Sequence, residues 1–258
     1  MRHFSNLLLN QITWNFIANI IFTVGHAIPM MPLVCFRLDG LLTSIVSSEF
    51  IGHSFFLLEM LAALNSCIAT ALIFQFRYMT VAYESTCKKF HYLWGYLYCA
   101  LVHLVCGVLY YTFMNNWTIS VNDYPFKTKS SSVEGLFCYQ PKGTAKDFAI
   151  GGYFFAIILT VIISIVFTAL AYCNLRNNAS VTHEQTTTVQ RNLLHKIIYI
   201  TAVPVFLGGI PLLIAVATVY FNEMKNAREI CVACIVILLN HGTVYGITTL
   251  MAFKTYRD

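Results

Sequence analysis

A carboxylate inside an otherwise apolar run is where chemistry would first be sought, and Glu59 is such a residue. It stands nine residues past Phe50, which is about 13 Å along a helix rising 1.5 Å per residue. Two uses fit a carboxyl at that position: a contact to a ligand or gating group facing a cavity, or a protonated group hydrogen-bonded to a neighbouring helix. His26, His53, His103 and His241 also fall in or near apolar runs. A lone histidine in such surroundings is more often a packing residue than a ligand. Asn15, Asn19, Asn65 and Asn240 have the chemistry to bond between helices, each such bond contributing about 0.6 kcal/mol. Arg77 closes an apolar run within Phe74-Gln75-Phe76-Arg77-Tyr78. It could snorkel to lipid headgroups or present a charged switch to a partner, and position alone does not choose.

Catalytic patterns are missing. There is no HExxH, no glycine-rich phosphate loop, no paired carboxylates in one run and no serine elbow. The eight histidines are scattered, with no two at metal-ligand spacing on one apolar helix. A selectivity filter and a repeated half are equally absent, which weakens conduit readings. The chain is read as no enzyme, with no metal and no cofactor.

The elements that must position these residues follow from composition. Hydrophobic residues make up 58% of the 258 and charged ones 10%, against about a quarter charged in soluble domains; mean hydropathy is +0.67. Near-uncharged runs of about 20 residues or more match a hydrocarbon core of roughly 30 Å. The expected fold is an all-α membrane protein with six spans at about 7–31, 50–76, 91–113, 148–173, 197–220 and 230–253, in one transmembrane domain. Barrel strands would be shorter and alternate in and out. The fifth span holds Pro204, Gly208, Gly209 and Pro211, so several helix bonds are missing or weak and a kink is expected there. A moving hinge and a static bend both remain open.

Basic residues near span ends set orientation. Arg2, Arg77, Lys88, Lys89, Arg176, Arg191, Lys196, Lys254 and Arg257 share one side with only Glu84, Glu184 and Asp258. That side is expected to be cytoplasmic, with both termini on it. The sequon Asn116-Trp117-Thr118 then lies outside as a glycosylation candidate, and the Asn178 sequon inside, unused. Cys35 and Cys138 both fall in outer, oxidising loops. A disulfide between them would tie the long third-to-fourth loop to the region before the second span; free thiols are the alternative. Cys87 is a lipidation candidate or a free thiol.

Several segments resemble nematode serpentine chemoreceptors of the Str superfamily, class I or class H. Met1-Arg2-His3-Phe4-Ser5-Asn6 and Trp14-Asn15-Phe16 are similar to their first inner loop and second helix. Pro29-Met30-Met31-Pro32 with Cys35 and Gly40 resembles their first outer loop. Phe76-Arg77-Tyr78 resembles the close of their third helix, and Asn240-His241-Gly242 with Tyr256 and Arg257 the end of their seventh. The resemblance covers nearly the whole chain.

It implies a G-protein-coupled receptor of sensory neurons in the plasma membrane of sensory cilia. The six spans would be helices two to seven, the first helix being absent and the chain incomplete. Its partners would be a small odorant or pheromone, a heterotrimeric G protein and the lipid bilayer, with no nucleic acid. Glu59 and His53 would anchor the ligand, Arg77 and Tyr78 would meet the G protein, and Pro204 and Pro211 would form the hinge. Phe76 stands where many such receptors carry an acid or amide, which puts a resting-state charge lock in doubt. A non-signalling receptor remnant and a six-span transporter or channel subunit are the alternatives.

Overall fold

The computed structural model describes residues 2–25, 27–39, 41, 48–83, 92–125, 135–177 and 184–252. His26, Gly40, Glu84, Cys87, Lys88, Lys89, the Asn178 sequon, Lys254, Tyr256, Arg257 and Asp258 lie outside the described residues. Among the described residues, six helical crossings are long and apolar enough to span a bilayer. They are α1 (Arg2–Gly25), α2 (Glu49–Ala82), α3 (Tyr92–Trp117), α4 (Thr144–Asn177), the pair α5 (Glu184–Val203) and α6 (Ile210–Tyr220), and α7 (Ala227–Ala252). The protein is an all-α multi-pass membrane protein.

Helix α2 is the axis of the bundle. Two-thirds of its most apolar window is buried (67%), against 11–39% in the other crossings. It packs on α1, α3 and α4, while α7 packs on α6, α5 and α1. The outward faces of α3 and α4 present Leu101, Leu104, Ile158 and Ile165, as helices do whose other solvent is lipid. Alternation around each helix is therefore weak, because both faces are apolar.

The crossing that contains two prolines is bent. Residues Pro204–Gly209 form a π-helical turn between α5 and α6. Pro204 and Pro211 have no N–H to give to the ladder, so the widened turn sits where the α-helical pattern cannot close. Gly208 lets α7 approach, since a Cβ there would stand 3.2 Å from His241 Cδ2.

One end of the bundle is closed by a small sheet. Strands β1 (Ala27–Pro29), β2 (Cys35–Leu38), β3 (Thr118–Ile119) and β4 (Leu136–Tyr139) pair antiparallel in the order β1-β2-β4-β3. Cys35 lies opposite Cys138 in the register, and a disulfide joins them. Phe36, Phe137 and Tyr139 turn down onto Phe56 of α2. Gly52 accommodates this contact, because any Cβ there would run into the Phe137 ring.

The sheet corrects the first expected span. Residues 7–31 are not one helix: it ends at Gly25, and Ala27–Pro29 is strand β1. Pro29 and Pro32 could not have donated to a continued helix. The other helices overrun their expected ends, α2 and α4 reaching 34 residues each. At about 1.5 Å per residue they exceed the hydrocarbon thickness and project beyond it.

Candidate functional site

A cavity of about 60 Å³ lies under the sheet, between the helices. Phe22 of α1, Glu59 of α2, Tyr110 of α3, Tyr153 of α4, Val216 of α6 and Leu238 of α7 all face it. Ala27 and Phe36 close it from the sheet side. Apart from Glu59 the lining is almost wholly aromatic and aliphatic, the usual make-up of a small-molecule site. Tyr110 and Tyr153 pack at 5.0 Å between ring centres, and the Tyr153 hydroxyl donates to the Met60 carbonyl at 3.2 Å.

Glu59 is 2% exposed. The backbone N–H of Ala27 donates to its carboxyl, while Oε1 has no hydrogen-bond partner. The roof of the cavity is thus tied to the one acidic group among its described lining residues. His53 stands elsewhere. Its ring lies in the seam between α2 and the sheet, 5.0 Å from Tyr139 and 5.4 Å from Phe137, with Glu49 at 3.6 Å. It does not line the cavity with Glu59. Glu49 in turn accepts from the Val121 N–H at 2.8 Å, fixing the long loop to the start of α2.

Below the cavity, a polar network joins α1, α2 and α7. Gln11 donates to Thr70 (2.7 Å), Tyr245 donates to Gln11 (2.7 Å), and Ser66 donates to Asn15 (2.5 Å). His241 Nε2 lies 3.3 Å from Asn15 Oδ1, so one imidazole touches both this network and the π turn at Gly208. Asn65 and Asn10 bracket His103 of α3 at 2.7 and 3.4 Å. Asn240 is turned outward and bonds within its own helix, to the Val236 carbonyl.

At the far end from the sheet, Arg77 Nη2 donates to the Gln190 carbonyl of α5 at 3.1 Å. Its Nε is buried without a partner. Tyr78 packs on Phe167 of α4 and Tyr83, beside the buried cluster of Ala171, Leu175 and Leu194. The arginine therefore clamps the inner part of α2 to the bent crossing through a backbone oxygen. Phe76, its neighbour, offers no carboxylate for that purpose.

A family model described as serpentine type 7TM GPCR chemoreceptor Srh matches residues 1–258. The chain belongs to this family. It is a chemosensory receptor of the Srh class, which resolves the sequence resemblance toward class H of the Str superfamily, and it is not an enzyme. No single characterised protein matches the sequence.

Two parts of this Srh receptor escaped the sequence reading. Lys146, which precedes the expected fourth span, is buried at the start of α4. Its Nζ donates to the carbonyls of Pro141 and Tyr220 and to Asn222 Oδ1 at 3.1, 2.9 and 3.0 Å. Asn222 passes the link to the Pro32 carbonyl at 2.5 Å, beside the sheet. Trp117 is the other: it sits inside the Asn116 sequon, is itself buried, and stacks on Tyr139 at 4.4 Å. Asn116 beside it is exposed on the last turn of α3. A lysine two residues before a long apolar run was the available signal for the first.

Proposed function

We propose that this Srh receptor lies in the plasma membrane of sensory cilia with the sheet end outside, binds a small ligand in the cavity beneath the sheet, and activates a heterotrimeric G protein at the Arg77 end. The observation that carries the proposal is the placement of the π turn. One bent crossing lines the cavity through Leu212, Ala215 and Val216 and holds Arg77 through Gln190. A ligand that pushes on α6 works against a turn whose hydrogen bonding is already interrupted at Pro204 and Pro211.

Release of the Gln190 carbonyl by Arg77 then frees the inner end of α5 to move away from α2. The opened cleft exposes a guanidinium whose Nε has no partner in the closed arrangement, a donor set suited to carboxylate or carbonyl oxygens of a G-protein helix. Ligand and G protein both favour the open state, so each raises the affinity of the other. His241, in contact with Gly208 and Asn15, couples the turn to the α1–α2–α7 network.

The test is a panel of volatile and pheromone-like compounds applied to cells expressing the receptor, read as calcium or cAMP. Responses that vanish with Arg77→Ala, at unchanged surface expression, support the reading. Responses that survive Arg77→Ala, or ion currents insensitive to G-protein block, contradict it. A glycan on Asn116, seen as a mobility shift lost in Asn116→Gln, tests the orientation.

A further inference from the structure

We infer that the cavity takes a small organic ammonium ligand, a protonated amine on an apolar body, whose N–H donates to the free oxygen of Glu59. The inference rests on reading this cavity as the ligand site. The wall supplies Glu59 with one donor, the Ala27 N–H, and leaves Oε1 without a partner although the residue is 2% exposed. Among the described lining residues none is basic. A donor for that oxygen can arrive with the occupant, and an ammonium N–H is the strongest such donor.

The rest of the lining suits a cation with an apolar body. Phe22, Phe36, Phe56, Tyr110, Trp117 and Tyr153 contribute six aromatic rings, and aromatic faces attract ammonium groups most strongly where water is excluded. Carboxylate ligands are repelled by the same arrangement. A hydrocarbon would fill the space but leave the buried oxygen unmet. An alcohol would give one hydrogen bond without the charge that makes such bonds shorter and stronger.

Three probes of one skeleton separate these cases: 2-phenylethylamine, 2-phenylethanol and ethylbenzene. Each is titrated at pH 7.5 into the purified full chain in lipid nanodiscs, with binding read as thermal stabilisation. The amine is expected to bind at least about tenfold tighter than ethylbenzene, as a charge-assisted bond implies, with the alcohol between them. Glu59→Gln is expected to bring the amine to the level of the alcohol. An alcohol or hydrocarbon that matches the amine on the native chain overturns the inference, as does an amine advantage that survives Glu59→Gln, or no binding by any probe. The native-chain comparison decides even where the variant yields little protein. Val216→Trp, which fills the cavity, separates the two readings. If ethylbenzene binding is lost in Val216→Trp but the amine has no advantage, only the amine inference fails; if binding of all probes is indifferent to Val216→Trp, the ligand-site reading fails with it.

Discussion

Replacing Lys146 by methionine keeps an unbranched, apolar side chain of similar length and removes every hydrogen-bond donor. The residue is 6% exposed, so water replaces those donors poorly. Three acceptors lose their partner: the carbonyls of Pro141 and Tyr220, and Asn222 Oδ1. Tyr220 is the last residue of α6, and its carbonyl is one of the groups a helix leaves unsatisfied at its C-terminus, where a cation is favoured. Hydrogen bonds to a charged group contribute about 1.5–3 kcal/mol, and the helix-end charge adds up to about 1 kcal/mol. The expected destabilisation is about 2–4 kcal/mol, since losses within one cluster do not add fully. By the scaling of soluble domains of similar size this lowers the melting temperature by roughly 4–16 °C. The assay is thermal unfolding in detergent or nanodiscs, with Lys142→Met at the neighbouring exposed lysine as control. Asn222→Ala should cost stability alone and little more on top of Lys146→Met. If Lys146→Met melts with Lys142→Met and the native chain, the clamp carries no stability and this account of it is wrong.

Gly52→Ala places a methyl group against the Phe137 ring, whose Cγ would stand 2.7 Å from the new Cβ. A loss of about 1–3 kcal/mol is expected from overpacking, partly restored by Phe137→Leu in the same chain; equal stability of the single variant and the native chain would show that the sheet does not seat on α2. Cys35→Ser removes the bond that closes a separation of 103 residues. It should lower thermal stability and surface expression, with a reductant reproducing the effect in the native chain and adding nothing in the variant. Pro204→Ala restores an N–H to the π turn and should reduce ligand-evoked signalling without lowering thermal stability. Unchanged signalling amplitude in that variant would argue for a static bend.

What the sequence disclosed depended on how local the cause was. The six crossings were legible because length and apolarity decide them without reference to neighbours. The bend was legible too, since Pro204 and Pro211 lack the donors that a regular helix needs there; that it takes the form of a π turn facing Gly208 and His241 was not. The end of α1 was missed because hydropathy continues through residues that pair as β1, and only the facing strand makes that a sheet. Glu59 stood out by its type, whereas the misplacement of His53 followed from reading depth alone: it lies just under two turns from Glu59 along α2, on a side covered by Phe137 and Tyr139. Lys146 was hidden for the same reason. Two of its three acceptors, Tyr220 and Asn222, lie more than 70 residues away in the chain, and no local pattern announces such a meeting.

The central claim is that occupancy of the cavity at the sheet end opens the cleft between Arg77 and Gln190 at the other. The distance between labels placed on Met79 of α2 and Arg191 of α5, both exposed, measures this directly. Non-canonical amino acids carrying the labels leave the native cysteines untouched. An agonist identified by cell responses should shift the distance distribution to longer values, and G protein should shift it further. The Val216→Trp variant should show neither agonist binding nor the agonist-induced shift. A distribution that stays in place while agonist binds and G protein is activated would contradict the account.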